Sequence, residues 1–121
     1  MARDFKKIKA WQLTNQLAIQ VYKVTKNFPK EELYGVVSQL RRSAVSSPTN
    51  IVEGSARNSK KEYLYFLYIA RGSLVETQYL LFLSNELGYL SNEIYHDLEK
   101  LREECSKTLH GLIKAVNQDI V

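Results

Sequence analysis

His96 and His110 lie fourteen residues apart. On one helix that spacing is about 21 Å by the rise per residue, too far for the two rings to share a metal ion within one chain. Cys105 is the single cysteine, so no intramolecular disulfide can form and a reducing compartment is the easier reading; in a helical pattern it reads as a small core residue. The sequence holds no His-Glu-x-x-His, no paired Cys-x-x-Cys, no phosphate-binding glycine loop and no nucleophile set beside a base. These patterns exclude the commonest catalytic classes, and a non-enzymatic protein with no cofactor and no metal is expected.

The chemistry that remains is that of cations. Residues 1 to 61 carry 12 Lys or Arg against 4 Asp or Glu, whereas residues 62 to 121 carry 5 against 9. Balances of +8 and −4 sum to the formal +4 of the chain. Such asymmetry suggests an anionic partner for the first half, a head-to-tail fit between basic and acidic faces of adjacent subunits, or both. A plain solvated surface is the alternative, since a pI near 9.2 is not extreme. If the partner is RNA or DNA, the expected phosphate contacts are Lys6, Lys7 and Lys9, then Lys23 and Lys26, then Lys60 and Lys61, with Arg41 as an addition. No helix-turn-helix, zinc-finger or RNA-binding sheet signature appears, so sequence-specific readout is not expected. A protein-binding adaptor whose basic face serves solubility is the other class of reading.

A second constellation surrounds Pro48. Glu53 and Arg57 stand at i, i+4 and can pair locally across a helix end. Arg42, Asn50, Glu53 and Arg57 form an expected structural polar cluster in which Glu53 is the partner of Arg42 if that arginine faces inward. An interior proline removes one hydrogen bond, pushes on the carbonyl four residues earlier and bends a helix at a cost of about 3 kcal/mol or more. Ser43, Ala44, Ser46 and Ser47 are small enough to let another helix approach the bend, Thr49 and Asn50 can bond local backbone groups, and Gly54 suits a left-handed cap.

Periodicity supplies four helices to position these groups. The first is expected from about Ile8 to Lys26, along Ile8, Trp11, Ala18, Val21 and Tyr22, and is stopped by Phe28-Pro29. The second runs from Leu33 or Val36 to Glu53 through Val37, Leu40, Ala44, Pro48 and Ile51. The third begins at Ser59 with Glu62 in a capping box and continues to Leu87 before Gly88. Ser91 caps the fourth, whose seam is Ile94, Leu98, Leu101, Cys105, Leu109, Leu112 and Val116. Links of about five to eight residues favour antiparallel neighbours. The expected fold is an all-α, antiparallel up-down-up-down four-helix bundle with its second helix kinked at a proline, one domain spanning residues 1–121.

The third helix carries more apolar surface than a monomer needs. Tyr63, Phe66, Ala70, Ser73, Thr77, Leu81 and Ser84 can face the bundle, which leaves a second stripe of Tyr65, Tyr68, Val75, Tyr79 and Phe82. A surface helix ordinarily has one apolar arc, and an exposed tyrosine-rich stripe reads as a self-association interface. The alternative is a central third helix that buries both stripes within one chain. There is no run of 18 apolar residues and no apolar core of a secretion signal near the N-terminus, so no membrane partner and a cytoplasmic location are expected.

The run Ser38-Gln39-Leu40-Arg41-Arg42-Ser43-Ala44-Val45-Ser46, with Pro48, Asn50-Ile51-Val52-Glu53-Gly54 and Arg57, resembles the signature of the four-helix-bundle proteins encoded by intervening sequences of bacterial 23S ribosomal RNA genes. Trp11-Gln12, Phe28-Pro29, Glu32, Tyr34-Gly35, Ile69-Ala70-Arg71-Gly72-Ser73, Glu76 and Leu87-Gly88-Tyr89 extend the resemblance over nearly the whole chain. It implies a helical bundle and a homopentamer, a ring of five subunits. The chain is more distantly similar to the accessory protein of diversity-generating retroelements, an oligomeric bundle that binds nucleic acid and a reverse transcriptase. That likeness implies RNA or DNA, and a reverse transcriptase, as partners.

Overall fold

The computed structural model describes residues 3–118. They form four α-helices and no strand: α1 (Lys9–Thr25), α2 (Ser38–Ser55), α3 (Lys60–Glu86) and α4 (Asn92–Asn117). Contacts concentrate between α1 and α2, α2 and α3, α3 and α4, and α1 and α4, so each helix has two principal neighbours around one core.

A short 3-10 turn at Phe5–Lys7 precedes α1, with the Asp4 carboxylate accepting from the Lys6 N–H at 3.1 Å. The buried seam of α1 is Ala10, Thr14, Leu17, Ala18, Val21 and Thr25. It is turned from the expected stripe: Trp11 is half-buried and Tyr22 is exposed. Thr14 and Thr25 sit in this seam because each hydroxyl bonds a carbonyl one turn back, at 2.8 and 2.7 Å, so that neither polar group is buried unpaired.

After Phe28-Pro29 the chain makes a 3-10 turn at Lys30–Glu32 and a wide π turn at Leu33–Val37. Gly35 departs from helical geometry there, with φ −110° and ψ −116°. From Ser38 the second helix is continuous, and Pro48 lies inside it, buried, with no loop from Ser46 to Asn50. Local side chains bond the backbone around the proline: the Thr49 hydroxyl donates to Val45 O at 2.7 Å and the Asn50 amide to Ser46 O at 2.8 Å.

Small residues let α2 and α3 approach closely. Ser47 donates to Ala70 O at 2.9 Å, the Ser46 and Ser73 hydroxyls lie 2.7 Å apart, and the Thr77 hydroxyl meets Ser43 at 2.9 Å. Gly54 belongs to the same seam. A Cβ there would lie 3.0 Å from both Phe66 Cβ and Tyr63 Cδ1, so the glycine serves helix packing and not the left-handed cap that its place near the helix end suggested. Among the described residues the glycine with positive φ is Gly88, at +79°, just past α3.

Ser59 caps α3 by accepting from the Glu62 N–H at 3.1 Å, and Ser91 caps α4 by accepting from Ile94 at 3.2 Å. The α4 seam is Leu98, Arg102, Cys105, Leu109 and Ile113. Ile94 is exposed, and Leu101, Leu112 and Val116 are half-buried. Arg102 is tolerated inside because it pairs with Glu99 one turn earlier. No helix of the described residues is long and apolar enough to cross a membrane.

Candidate functional site

The basic residues expected to contact phosphate fall into two groups at the two ends of α1. Lys6 and Lys7 lie in the first 3-10 turn, Lys9 opens α1, and Lys60 and Lys61 open α3; all are exposed. Arg3 draws these segments together. Its Nη1 donates to Ser55 O at 3.3 Å and Arg57 O at 3.2 Å, at the end of α2, and its guanidinium lies 4.3 Å from the centre of the Tyr63 ring. Lys6, Lys7, Lys9 and Lys61 form no ion pair with any described residue.

Lys23 and Lys26 stand about 21 and 25 Å from Lys9 along the axis, at the other end of α1. Arg41 joins them there. Its Nε donates to Thr25 Oγ1 at 2.9 Å and its guanidinium lies 4.6 Å from the Tyr22 ring centre. The expected phosphate-binding set is thus brought together as two patches, not one. The sequence reading left Arg3 out of the set, although its position three residues before Lys6 was the available signal.

The expected polar cluster does not assemble. Arg42 pairs with Glu76 of α3 and bonds Gln39, with its side chain 55% exposed, instead of turning inward to Glu53. The reason is the continuity of α2: residues 42 and 53 are eleven apart, about 16 Å along an unbroken helix. Asn50 is occupied by Ser46, and Arg57 pairs with Glu53 at 3.3 Å as the i, i+4 spacing indicated. Arg57 also approaches Glu62 at 4.0 Å. These are surface pairs, each worth about 0–1 kcal/mol, so Arg42 is not a structural linchpin.

The second stripe of α3 lies outside the bundle. Tyr65, Tyr68, Val75, Tyr79 and Phe82 are 61%, 41%, 59%, 58% and 48% exposed, so α3 does not bury both stripes within one chain. The bundle-facing stripe is buried at Tyr63, Ala70, Ser73, Thr77, Leu81 and Ser84, and Leu64, Leu67, Leu74 and Leu80 join it.

Cys105 is fully buried, and burial pushes its thiol up to about 12, so at neutral pH the sulfur is protonated. His96 and His110 are exposed; His96 Nδ1 lies 2.7 Å from Asn92 O. Among the described residues no group of three or more His, Cys, Asp or Glu is placed to hold a metal ion.

No curated protein sequence matches the chain. A crystal structure that it resembles is that of a protein of unknown function from the S23 ribosomal protein family of Bacteroides thetaiotaomicron. The TM-score is 0.80 at 25% identity, over 87% of this chain and 95% of that one. Residues 6–111 match the family described as 23S rRNA-intervening sequence protein. That match spans all but the ends of the chain and includes the arginine, serine and proline run of α2, and the chain therefore belongs to the 23S rRNA-intervening sequence protein family.

Proposed function

We propose that the protein is a non-enzymatic, self-associating helical scaffold that binds RNA or DNA through phosphate contacts, without sequence specificity. The observation that carries this reading is the basic end built from Lys6, Lys7, Lys9 and Lys61, exposed and without an ion pair to any described residue. Side chains so placed cost little to dock on a polyanion, and each neutralised phosphate releases counterions. Contacts of this kind position a strand without reading its bases. On the resemblance to retroelement accessory proteins, a reverse transcriptase is a further partner.

The scaffold is read as an antiparallel, up-down-up-down bundle. In support, Arg3 meets Ser55 while Arg41 meets Thr25, and Ser43, Ser46 and Ser47 meet Thr77, Ser73 and Ala70 in turn, so numbering runs in opposite directions along paired helices. A bend at Pro48 is read from the N–H that the proline denies the Ala44 carbonyl. Self-association is supported by the exposed α3 stripe, and a ring of five subunits by the resemblance alone.

Gel shifts against RNA, single-stranded DNA and duplex DNA at rising salt test the reading. Binding that weakens steeply with salt on all three supports it. Absence of binding to any of them at low salt contradicts it and leaves the protein-binding adaptor.

A further inference from the structure

Tyr34 is 92% exposed, yet the turn that presents it is fixed from three sides. The Glu32 carboxylate accepts from the Val36 N–H at 3.4 Å through one oxygen and from the Tyr89 hydroxyl at 2.7 Å through the other. Tyr89 in turn packs against Phe28, with ring centres 5.4 Å apart. A Cβ at Gly35 would lie 2.6 Å from Glu32 Oε1, so the end of that side chain would have to shift. Here the turn holds an aromatic ring in water where folding alone gains nothing from it.

A hollow of about 370 Å³ opens beside this ring, lined by Tyr22, Leu33, Tyr34, Val37, Arg41 and Arg42. A second hollow of about 350 Å³, which reaches Lys26, Phe28 and Lys30, shares Leu33, Val37 and Arg41 with it. Arg41 is held between them by Thr25 and the face of Tyr22, while its two terminal nitrogens make no hydrogen bond to a described residue. The result is a fixed cation with open donors. Of the carboxylates nearest these hollows, Glu32 is occupied by Tyr89 and Val36 and Glu76 by Arg42; Glu31 is exposed, and Lys23, Lys26 and Lys30 form no ion pair with any described residue.

We infer that this end of the bundle binds an unpaired nucleotide segment, with a base stacked on Tyr34 and the adjoining phosphates on Arg41 and Lys26. The inference rests on the nucleic-acid reading above and adds to it the class of strand. Bases within a duplex already stack on one another and offer no face to Tyr34. An unpaired base does, and aromatic platforms beside cations bind single strands with little sequence preference. Charge favours a polyanion over a peptide here, since the charged side chains that line the two hollows, Arg41, Arg42, Lys26 and Lys30, are all cationic.

The test is fluorescence anisotropy with a labelled single strand, an abasic strand of equal length and a duplex, on the full chain and its Tyr34→Ala and Tyr34→Phe variants. Tyr34→Ala should weaken binding of the base-containing strand roughly fivefold to a hundredfold, leave the abasic strand and the duplex unchanged, and retain its helical circular dichroism; Tyr34→Phe should bind as the wild type. If the wild type binds all three probes and Tyr34→Ala binds them equally well, the inference is overturned and the phosphate-binding reading stands. If no probe binds the wild type, both fall. A Tyr34→Ala chain that changes mass in solution without changing affinity overturns the inference in favour of a contact between copies.

Discussion

Gly54 and Gly111 are both helical glycines whose substitution should act with opposite sign. At Gly54 a methyl group meets Phe66 and Tyr63 at 3.0 Å, so Gly54→Ala should destabilise the chain by about 1–3 kcal/mol through overpacking of α2 against α3. Gly111 on α4 has nothing within 4 Å of an added Cβ, and Gly111→Ala should stabilise by up to about 1 kcal/mol through helix propensity. Thermal melts of the two variants check the pair. The cap reading of Gly54 arose because a sequence shows that a helix ends nearby, whereas the facing ring comes from a segment that only folding delivers. Cys105 carries a pH dependence. Burial raises its thiol from an ordinary value of 9.0 to about 12, so the unfolded chain ionises first. The associated stability is complete below about pH 9 and is lost as pH rises towards 12. Tyr63 and Tyr95 are raised above their ordinary 10.0 by burial as well, and they act with the same sign as pH rises past that value. Urea titrations at pH 8 and pH 10.5 should show the loss, and Cys105→Ala should reduce it.

At the scale of elements, the signals that lie within a few residues were legible. Ser59, Ser91 and Gly88 mark helix boundaries because a cap needs only its own hydroxyl or its own φ. The rotation of each helix about its axis was not. Tyr22 and Ile94 were placed inward by spacing but lie exposed, since neighbouring helices decide which three- and four-residue stripe is covered. Ile113 of α4 was missed for the same reason. The π turn at Leu33–Val37 was seen only as an uncertain helix start, because an extra residue per turn leaves no mark in a periodic pattern. Pro48 offers the element-scale test. Pro48→Ala restores a donor to the Ala44 carbonyl but removes a buried ring from a helix packed around it. The variant should lose stability or oligomeric mass, which urea titration and light scattering measure; a chain that gains stability at unchanged mass would show that the proline has no packing role.

For the whole molecule, the exposed α3 stripe and the two basic ends are the features a lone bundle does not explain. If the chain self-associates through this stripe, substituting Tyr68 or Tyr79 by Glu should leave it monomeric, since an interfacial carboxylate without a partner is costly to desolvate. A monomeric wild-type mass at micromolar concentration would contradict self-association. The division of the cations between two ends was hidden in the sequence, because it depends on Arg3 folding back to the end of α2 and on Arg41 crossing to α1. Their number and sign were plain from composition. If Lys6, Lys7 and Lys61 bind phosphate, a salt-dependent titration of several labelled RNAs of unrelated sequence against the wild type and a triple Lys6→Glu, Lys7→Glu, Lys61→Glu chain will register their loss. Phosphate binding by these lysines predicts weaker affinity for the triple variant on each RNA alike, with the slope of log affinity against log salt shallower by about 0.7 to 0.9 per lost contact. Unchanged affinity and slope in a folded triple variant would contradict it.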